Sequence, residues 1–368
     1  MRPYRVVISG GGTGGHIFPA ISIANTFKER YPDTEILFVG ADSRMEMERV
    51  PAAGYQIIGL PICGFDRSNK LKNITVIRKL YKSLKLAKKL LRDFKPDVVV
   101  GVGGYASGPT LWAAASLNIP TLIQEQNSYA GITNKLLGKR VTKICVAYDG
   151  MERFFPSERI IFTGNPIRKD LEESLDAREK AAAYFTLDPV KKTVLIIGGS
   201  LGARTINNGI LKGLKKLLDA GIQVIWQTGR FYYESIEEQV KTIDTKGLLW
   251  FADFISQMNY AYAAADLVVS RAGASSISEL CVLKKPSILV PSPNVAEDHQ
   301  TKNALAIVNK DAARMIADKD VEDLLTDAII HLVQDEEKLH LYSERIGRLA
   351  KHRSADCIVD EIEKIIRK

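Results

Sequence analysis

Two doubly wound α/β domains, each built on a parallel sheet, are what this chain encodes, and three observations say so. It has 368 residues, and at about 150 residues per domain that length makes two. Short apolar runs alternate with longer helical patterns, and the runs are continuously apolar. Strands of that kind lie in parallel sheets covered by helices on both faces. The two halves also echo one another. Val6-Val7-Ile8-Ser9-Gly10-Gly11-Gly12 returns as Val194-Leu195-Ile196-Ile197-Gly198-Gly199-Ser200. Val98-Val99-Val100-Gly101, leading to Gly103-Gly104, returns as Leu267-Val268-Val269-Ser270, leading to Gly273. Each half opens on a strand feeding a glycine loop and carries another such loop later. Two doubly wound domains facing each other across a cleft follow from that repeat.

In chain order, strands are predicted near 4–9, 35–39, 56–60, 97–101, 120–124, 143–147 and 160–163 in the first half. The second half offers 193–197, 223–227, 248–251, 267–270, 287–290 and 314–316. Helical patterns fill most gaps. Gly164-Asn165-Pro166 interrupts the pattern and marks a hinge. The first domain is therefore 1–164 and the second 165–344. Residues 335–367 read as helix, and the last part, about 345–368, is assigned to the first domain as a returning segment.

Hydrophobic residues make up 46% and charged residues 26%, the balance of a soluble globular protein and not of a disordered chain. The cysteines, Cys63, Cys145, Cys281 and Cys357, form no CxxC pair. That spacing excludes a disulfide scaffold or a zinc ribbon and suits buried free thiols in a reducing cytoplasm. Arg2 and Arg5 precede an apolar stretch that meets Gly10 almost at once, too short for a signal-peptide core. Residues 98–124 carry no charge but contain four glycines and two prolines. They read as strand, glycine loop, buried helix and strand, not as a membrane span.

The net charge of +8 is concentrated. Residues 66–95 hold eleven Lys/Arg against two Asp, a local +9 that leaves the remainder at −1. Ile77, Leu80, Leu84, Ala87, Leu91 and Phe94 recur there at helical spacing, giving an apolar stripe with a basic opposite face. One reading is a solvated face on a sheet-packed helix. The sharper one is contact with an anionic membrane surface. Phe65, Leu71, Ile74 and Val76 would then be shallow anchors beside Lys70, Lys72, Arg78, Lys79 and Lys82. No nucleic-acid motif accompanies the patch, so nucleic acid is not an expected partner.

Three glycine loops carry the chemistry. Gly10-x-Gly12-x-x-Gly15 matches a dinucleotide fingerprint, with Asp42 beyond the second strand where a ribose acid sits. His16 falls in the first turn of the following helix. A helix N-terminus keeps an imidazole neutral and able to accept a proton; the plainer role is capping or packing. Gly198-Gly199-Ser200-Leu201-Gly202-Ala203 suits a phosphate, with the Ser200 hydroxyl as an extra donor. In the third loop, 270–279, small residues let a diphosphate rest on a helix N-terminus. Glu279 there suits the two hydroxyls of a ribose, or else closes a capping box with Ser276. Two such loops in the second domain fit a nucleoside diphosphate donor. The first-domain loops, including Gly103-Gly104-Tyr105, then face an acceptor. His16, His299, His331, His340 and His352 show no ligand spacing, and Asp318-Lys319-Asp320 reads as solvated surface. No metal or other cofactor is expected.

The ordered motifs Gly11-Gly12-Thr13-Gly14-Gly15-His16-x-x-Pro19, Gly103-Gly104-Tyr105-x-Ser107-Gly108-Pro109, Glu125-Gln126-Asn127-x-x-Ala130-Gly131-x-x-Asn134, Gly164-Asn165-Pro166-x-Arg168, Gly198-Gly199-Ser200-x-Gly202-Ala203-Arg204 and the 270–279 stretch span the whole chain. They resemble the MurG family of peptidoglycan N-acetylglucosaminyltransferases. The resemblance implies a GT-B fold, with UDP-GlcNAc as donor. It implies lipid I (undecaprenyl-diphospho-MurNAc-pentapeptide) as acceptor at the cytoplasmic face of the bacterial inner membrane, an anionic surface. By the same resemblance the Ile255 backbone would meet uridine and Glu279 the ribose. Ser200, Ala274, Ser275 and Ser276 would hold the diphosphate, with Arg168 near the phosphates. Gln300 and Asn127 would contact GlcNAc. Thr13, Gly14, Gly15 and Tyr105 would line the acceptor side. Some family members have histidine before Glu125, where this chain has Gln124. That departure puts more weight on His16: in an inverting displacement without a protein-bound metal, His16 or a water-linked group would take the proton. Competing readings are a UDP-GlcNAc 2-epimerase, a nicotinamide oxidoreductase and a non-catalytic, membrane-docked UDP-sugar-binding scaffold.

Overall fold

The structure, a computed structural model, describes residues 3–64, 72–167, 171, 177–199 and 201–366. The chain divides into two compact units. The first comprises Met1–Ile167 with His352–Lys368, and the second Arg168–Lys351.

The first unit has seven parallel strands: β1 (Arg5–Ser9), β2 (Glu35–Ala41), β3 (Gln56–Leu60), β4 (Val98–Gly101), β5 (Thr121–Glu125), β6 (Lys143–Val146) and β7 (Ile160–Phe162). Their order is β3-β2-β1-β4-β5-β6-β7, so the winding reverses between β1 and β4. Its helices are α1 (Gly14–Arg30), α2 (Glu46–Ala52), α3 (Lys72–Phe94), α4 (Ser107–Ser116) and α5 (Ile132–Leu137). A last helix from the far end of the chain is described below. Side chains of one strand alternate between two covered faces. Val6 and Ile8 pack with Ile17, Ile23 and Phe27 of α1, whereas Val7 and Val99 pack with Ala87 and Leu91 of α3 and Leu111 of α4. Each such fully buried aliphatic side chain is worth roughly 1.5–3 kcal/mol, which is why these strands are apolar throughout.

The second unit repeats the scheme with β8 (Thr193–Ile197), β9 (Gln223–Gln227), β10 (Leu249–Ala252), β11 (Leu267–Ser270), β12 (Ser287–Leu289) and β13 (Arg314–Met315). Their order is β10-β9-β8-β11-β12-β13, with the reversal between β8 and β11. Its helices are α6 (Arg178–Tyr184), α7 (Arg204–Asp219), α8 (Tyr233–Val240), α9 (Met258–Ala264), α10 (Ala274–Val282), α11 (His299–Val308), α12 (Val321–Gln334) and α13 (Glu336–Gly347). Trp226, Ile206, Leu214 and Ile329 centre one core layer, and Leu195, Phe185, Tyr262 and Leu280 the other.

Three expectations are corrected. Residues 335–367 are two helices, α13 and α14 (Ser354–Ile366). Arg353 between them takes a left-handed conformation, with φ of +54°. Apolar periodicity runs on across the break, but Leu339, Tyr342 and Ile346 face the second unit's core. Ile358, Val359, Ile362 and Ile365 cover α1 and β1 in the first. On α3 the buried seam starts at Val76, not Ile77: Val76 is 5% exposed and Ile77 58%. Positions 76, 80, 83, 87 and 91 keep to one side at 100° per residue, and 77 falls off it. Cys145 and Cys281 are buried, but Cys63 is half-buried and Cys357 exposed. Burial pushes the Cys281 thiol up to about 12 and that of Cys145 higher still.

Candidate active site

Both reversals of winding bring a pair of glycine loops together at the carboxyl ends of the central strands, where ligands bind in open α/β sheets. In the first unit these are the β1–α1 and β4–α4 loops, and they meet backbone to backbone. Gly11 N–H donates to Gly103 O at 3.3 Å. A Cβ on Gly104, whose φ is +86°, would stand 2.4 Å from Gly11 O. Glycine is required there by both conformation and space.

The contact seats His16. Its Nδ1 lies 2.9 Å from Gly11 O and 3.3 Å from Thr13 Oγ1. A carbonyl only accepts, so Nδ1 is the donor in this contact, and in a neutral ring the acceptor role falls to Nε2. Nε2 lies against Gly103, 3.0 Å from where a Cβ would stand. Thr13 and Gly15 are exposed at the start of α1. The first intrahelical bond is given by His16 N–H to Thr13 O at 3.1 Å, so the N–H groups of Gly14 and Gly15 precede the helical ladder. Tyr105 is half exposed, with its phenol over Gly64.

Asn134 Nδ2 lies 3.7 Å from that same Gly103 Cβ position, and its amide donates to Glu125 Oε2 at 2.8 Å. Buried Glu125 also accepts the N–H groups of Asn127 and Gly131, each at 3.0 Å. This carboxylate shapes the 126–131 loop that presents Asn127. Gln124 is buried as well, donating to Asn165 Oδ1 at 2.9 Å and accepting from Gln126. An amide locked in that network cannot take a proton at neutral pH. Glu46, which no motif predicted, accepts Gly12 N–H at 2.7 Å and Ala41 N–H at 3.0 Å while 1% exposed. Asp42, the acid expected after the second strand, is exposed and lies against Gly59.

In the second unit the β8–α7 and β11–α10 loops make the corresponding pair. Gly273, which has no side chain to cap with, is the N-cap of α10. The capping box between Ser276 and Glu279 is therefore not formed, and Glu279 Oε2 accepts instead from Tyr262 OH at 2.8 Å. Ala274, Ser275 and Ser276 occupy the first turn, where free N–H groups and the helix dipole favour an anion. The Ser275 hydroxyl is shielded from solvent without a hydrogen-bond partner among the described residues. Ile255 is buried, and its N–H donates to Gln227 Oε1 at 2.9 Å, while Gln227 Nε2 donates to Gly199 O at 3.0 Å. Gln227 thus ties the glycine loop to Ile255. Gln300, half-buried in α11, accepts Ser292 N–H at 2.8 Å, which leaves its NH₂ to donate.

Asp318 is not solvated surface. It pairs with Arg271 at side-chain exposures of 16% and 14%, and Arg271 also donates to Thr205 Oγ1 at 3.0 Å and Val290 O at 3.2 Å. The pair braces the β11–α10 loop against α7 and the end of β12. Arg168, Ser200, Phe65, Lys70 and Leu71 lie outside the described residues. Lys72 opens α3, and Ile74, Arg78, Lys79 and Lys82 are exposed along it. Among the described residues no cluster of three or more His, Cys, Asp or Glu could hold a metal, and no helix is long and apolar enough to cross a membrane.

Comparison with known proteins bears on both loop pairs. Residues 6–146 match the glycosyltransferase family 28 N-terminal domain, and residues 193–358 match its C-terminal domain. A Parabacteroides distasonis protein named UDP-N-acetylglucosamine--N-acetylmuramyl-(pentapeptide) pyrophosphoryl-undecaprenol N-acetylglucosamine transferase is 64% identical over 100% of both chains. A Phocaeicola vulgatus protein of the same name is 60% identical over 99% of this chain and 97% of its own. The crystal structure of Acinetobacter baumannii MurG is similar at a TM-score of 0.80 and 26% identity, covering 98% of this chain and 100% of that one. With both family domains matched in order and relatives this similar along the full length, the chain belongs to glycosyltransferase family 28.

Proposed function

We propose that the protein transfers GlcNAc from UDP-GlcNAc to the MurNAc C4 hydroxyl of undecaprenyl-diphospho-MurNAc-pentapeptide, with inversion at the anomeric carbon. The 64% identity to a named transferase over the full chain carries this reading, and the geometry of each unit supports it. The hydroxyl oxygen bonds to the anomeric carbon as the bond to the UDP β-phosphate oxygen breaks, and that electron pair leaves with UDP. The hydroxyl proton goes to His16 Nε2, the acceptor left by the Nδ1–H bond to Gly11. The first turn of α10, at Ala274, Ser275 and Ser276, stabilises charge on the departing diphosphate through its free N–H groups and dipole. Glu279, oriented by Tyr262, accepts from ribose hydroxyls; Gln300 and Asn127 are assigned to the sugar and Tyr105 to the acceptor side.

The acceptor's lipid calls for a membrane-facing surface, and the first unit offers one. Ile74, Ile77 and Tyr81 of α3 are 56%, 58% and 61% exposed among Arg78, Lys82 and Lys85. Lys85 lies over the Tyr81 ring. Trp112 of α4 is exposed, with the Arg140 guanidinium stacked on it at 3.8 Å. Apolar anchors among cations suit a peripheral enzyme on an anionic cytoplasmic leaflet.

A turnover assay with labelled UDP-GlcNAc, run with and without a lipid I analogue, tests the proposal. The expected result is acceptor-dependent UDP release and a β-1,4-linked disaccharide lipid. Donor consumed without acceptor, with an epimerised sugar formed, would overturn it.

A further inference from the structure

Glu46 belongs to none of the ordered motifs, yet it is one of the few buried carboxylates in the first unit, 1% exposed at the start of α2. Space is kept for it. A Cβ on Gly11 would stand 2.2 Å from Glu46 Cδ, and one on Gly40 would stand 2.6 Å from Glu46 Cγ. The Gly12 N–H that donates to Glu46 at 2.7 Å belongs to the Gly11–Gly12 peptide. The carbonyl of that same peptide accepts the His16 Nδ1–H at 2.9 Å. Carboxylate, amide plane and imidazole therefore stand in series.

We propose that Glu46 is a positioning residue for the proton transfer: acting through the Gly11–Gly12 peptide, it orients the His16 ring and makes Nε2 a stronger base. The proposal rests on His16 as the general base, as read above. Hydrogen bonds in series polarise one another, so a carboxylate on the N–H strengthens the carbonyl as acceptor. A negative charge nearby also favours the imidazolium formed when Nε2 takes the hydroxyl proton. The N-terminus of α1 acts in the opposite sense, and no acid stands in its own first turn; Glu46 supplies one from α2. The proton on Nδ1 stays there throughout, and none passes to Glu46, as for the carboxylate of a Ser-His-Asp triad. On its Nε2 side the ring meets the uncharged Gly103 backbone, and Asn134 lies near the same glycine. Behind Asn134 lies Glu125, one hydrogen bond further away.

Glutamate fits the task better than its amide. Two backbone N–H groups, of Gly12 and Ala41, need two acceptor oxygens, and glutamine offers one. The test uses the full chain with Glu46→Gln, Glu46→Asp and His16→Ala. The His16 imidazole is titrated by NMR, its signal assigned by loss in His16→Ala, and kcat and KM are measured with UDP-GlcNAc and a lipid I analogue across pH. In Glu46→Gln the His16 pKa should fall by about half to one unit. The same variant should lose about 10- to 100-fold in kcat, with KM for UDP-GlcNAc within about twofold because the donor residues lie in the other unit. Glu46→Asp should recover part of both. A folded Glu46→Gln in which His16 titrates as in wild type overturns the relay, even if kcat falls. Should that variant not fold, Glu46→Asp decides: a His16 titration displaced from that of wild type upholds the relay, and one identical to wild type overturns it. Near-normal turnover in His16→Ala sinks the base reading itself. An inactive His16→Ala beside an unshifted Glu46→Gln sinks only the relay.

Discussion

Single side chains account for most of the chemistry, and each makes its own prediction. His16→Ala should lower kcat by about 10²- to 10⁴-fold, the usual worth of a positioned base, with KM for UDP-GlcNAc little changed; steady-state kinetics on the folded variant checks it. Glu279→Ala should instead raise KM for UDP-GlcNAc by roughly 10- to 100-fold, the worth of charge-assisted hydrogen bonds, while Tyr262→Phe has a smaller effect of the same sign. Lys285 reports on stability. Burial pulls its ammonium down to about 8, against Asp266, which holds it up, while Nζ donates to Ala265 O at 2.9 Å. The folded state then binds fewer protons than the unfolded state between about pH 8 and the ordinary lysine value near 10.4. Stability gains from this group as pH rises through that window, and below it the cost of the buried charge is present in full. Denaturation curves from pH 7 to 10.5 should show that rise in wild type and lack this share of it in Lys285→Met. The placement of His16 and Glu279 beside glycine loops was legible because a strand, a glycine loop and a following helix mark those positions locally. Glu46, Gln227 and Arg271 were not, because their partners sit on elements distant in sequence: Gly12 is 34 positions from Glu46, and Asp318 is 47 from Arg271. No local pattern signals such a pairing.

Among the elements, the strands were the most legible. Every one of the thirteen described strands lies within two residues of its expected place, because a strand buried on both faces must be apolar at each position. Helices were less so. Their periodicity reveals that a face is buried but not which unit buries it, so α13 and α14 read as one element. On α3 the same ambiguity exchanged Val76 and Ile77. The outcome is functional, since Ile77 joins Ile74 and Tyr81 on the exposed basic side. Replacing Lys79, Lys82 and Lys85 together with glutamate should abolish most sedimentation with anionic vesicles at low salt, as each cation near such a surface is worth about 1 kcal/mol. Binding that persists unchanged would make α3 a solvated face. All three side chains are exposed, so the melting temperature should stay close to that of wild type.

At the level of the whole molecule, one sheet plan occurs twice, and each copy places its glycine loops at the reversal of its own winding. On the proposed function, donor and acceptor chemistry fall to different units. A single helix departs from that division: α14 follows the second unit in the chain and packs on the first. Arg30 at the end of α1 fastens it, pairing with Asp356 at 2.8 Å and Glu363 at 3.2 Å, and with Asp360 as well. Arg30→Ala should destabilise the first unit by about 1–2 kcal/mol, more than an exposed pair is worth because the guanidinium is largely enclosed. Hydrogen exchange should show faster opening of α14 and α1, with α7 and α12 unaffected.

The placement of α14 also sets an order of assembly. A ribosome releases the second unit in full before it releases the helix that seals the first. Until then Ile23, Phe27, Val6 and Ile8 have one covering layer missing, and a nascent first domain carries an open greasy flank through the synthesis of some 180 further residues. The second unit, Arg168–Lys351, meets no such delay and can close before the first is sealed.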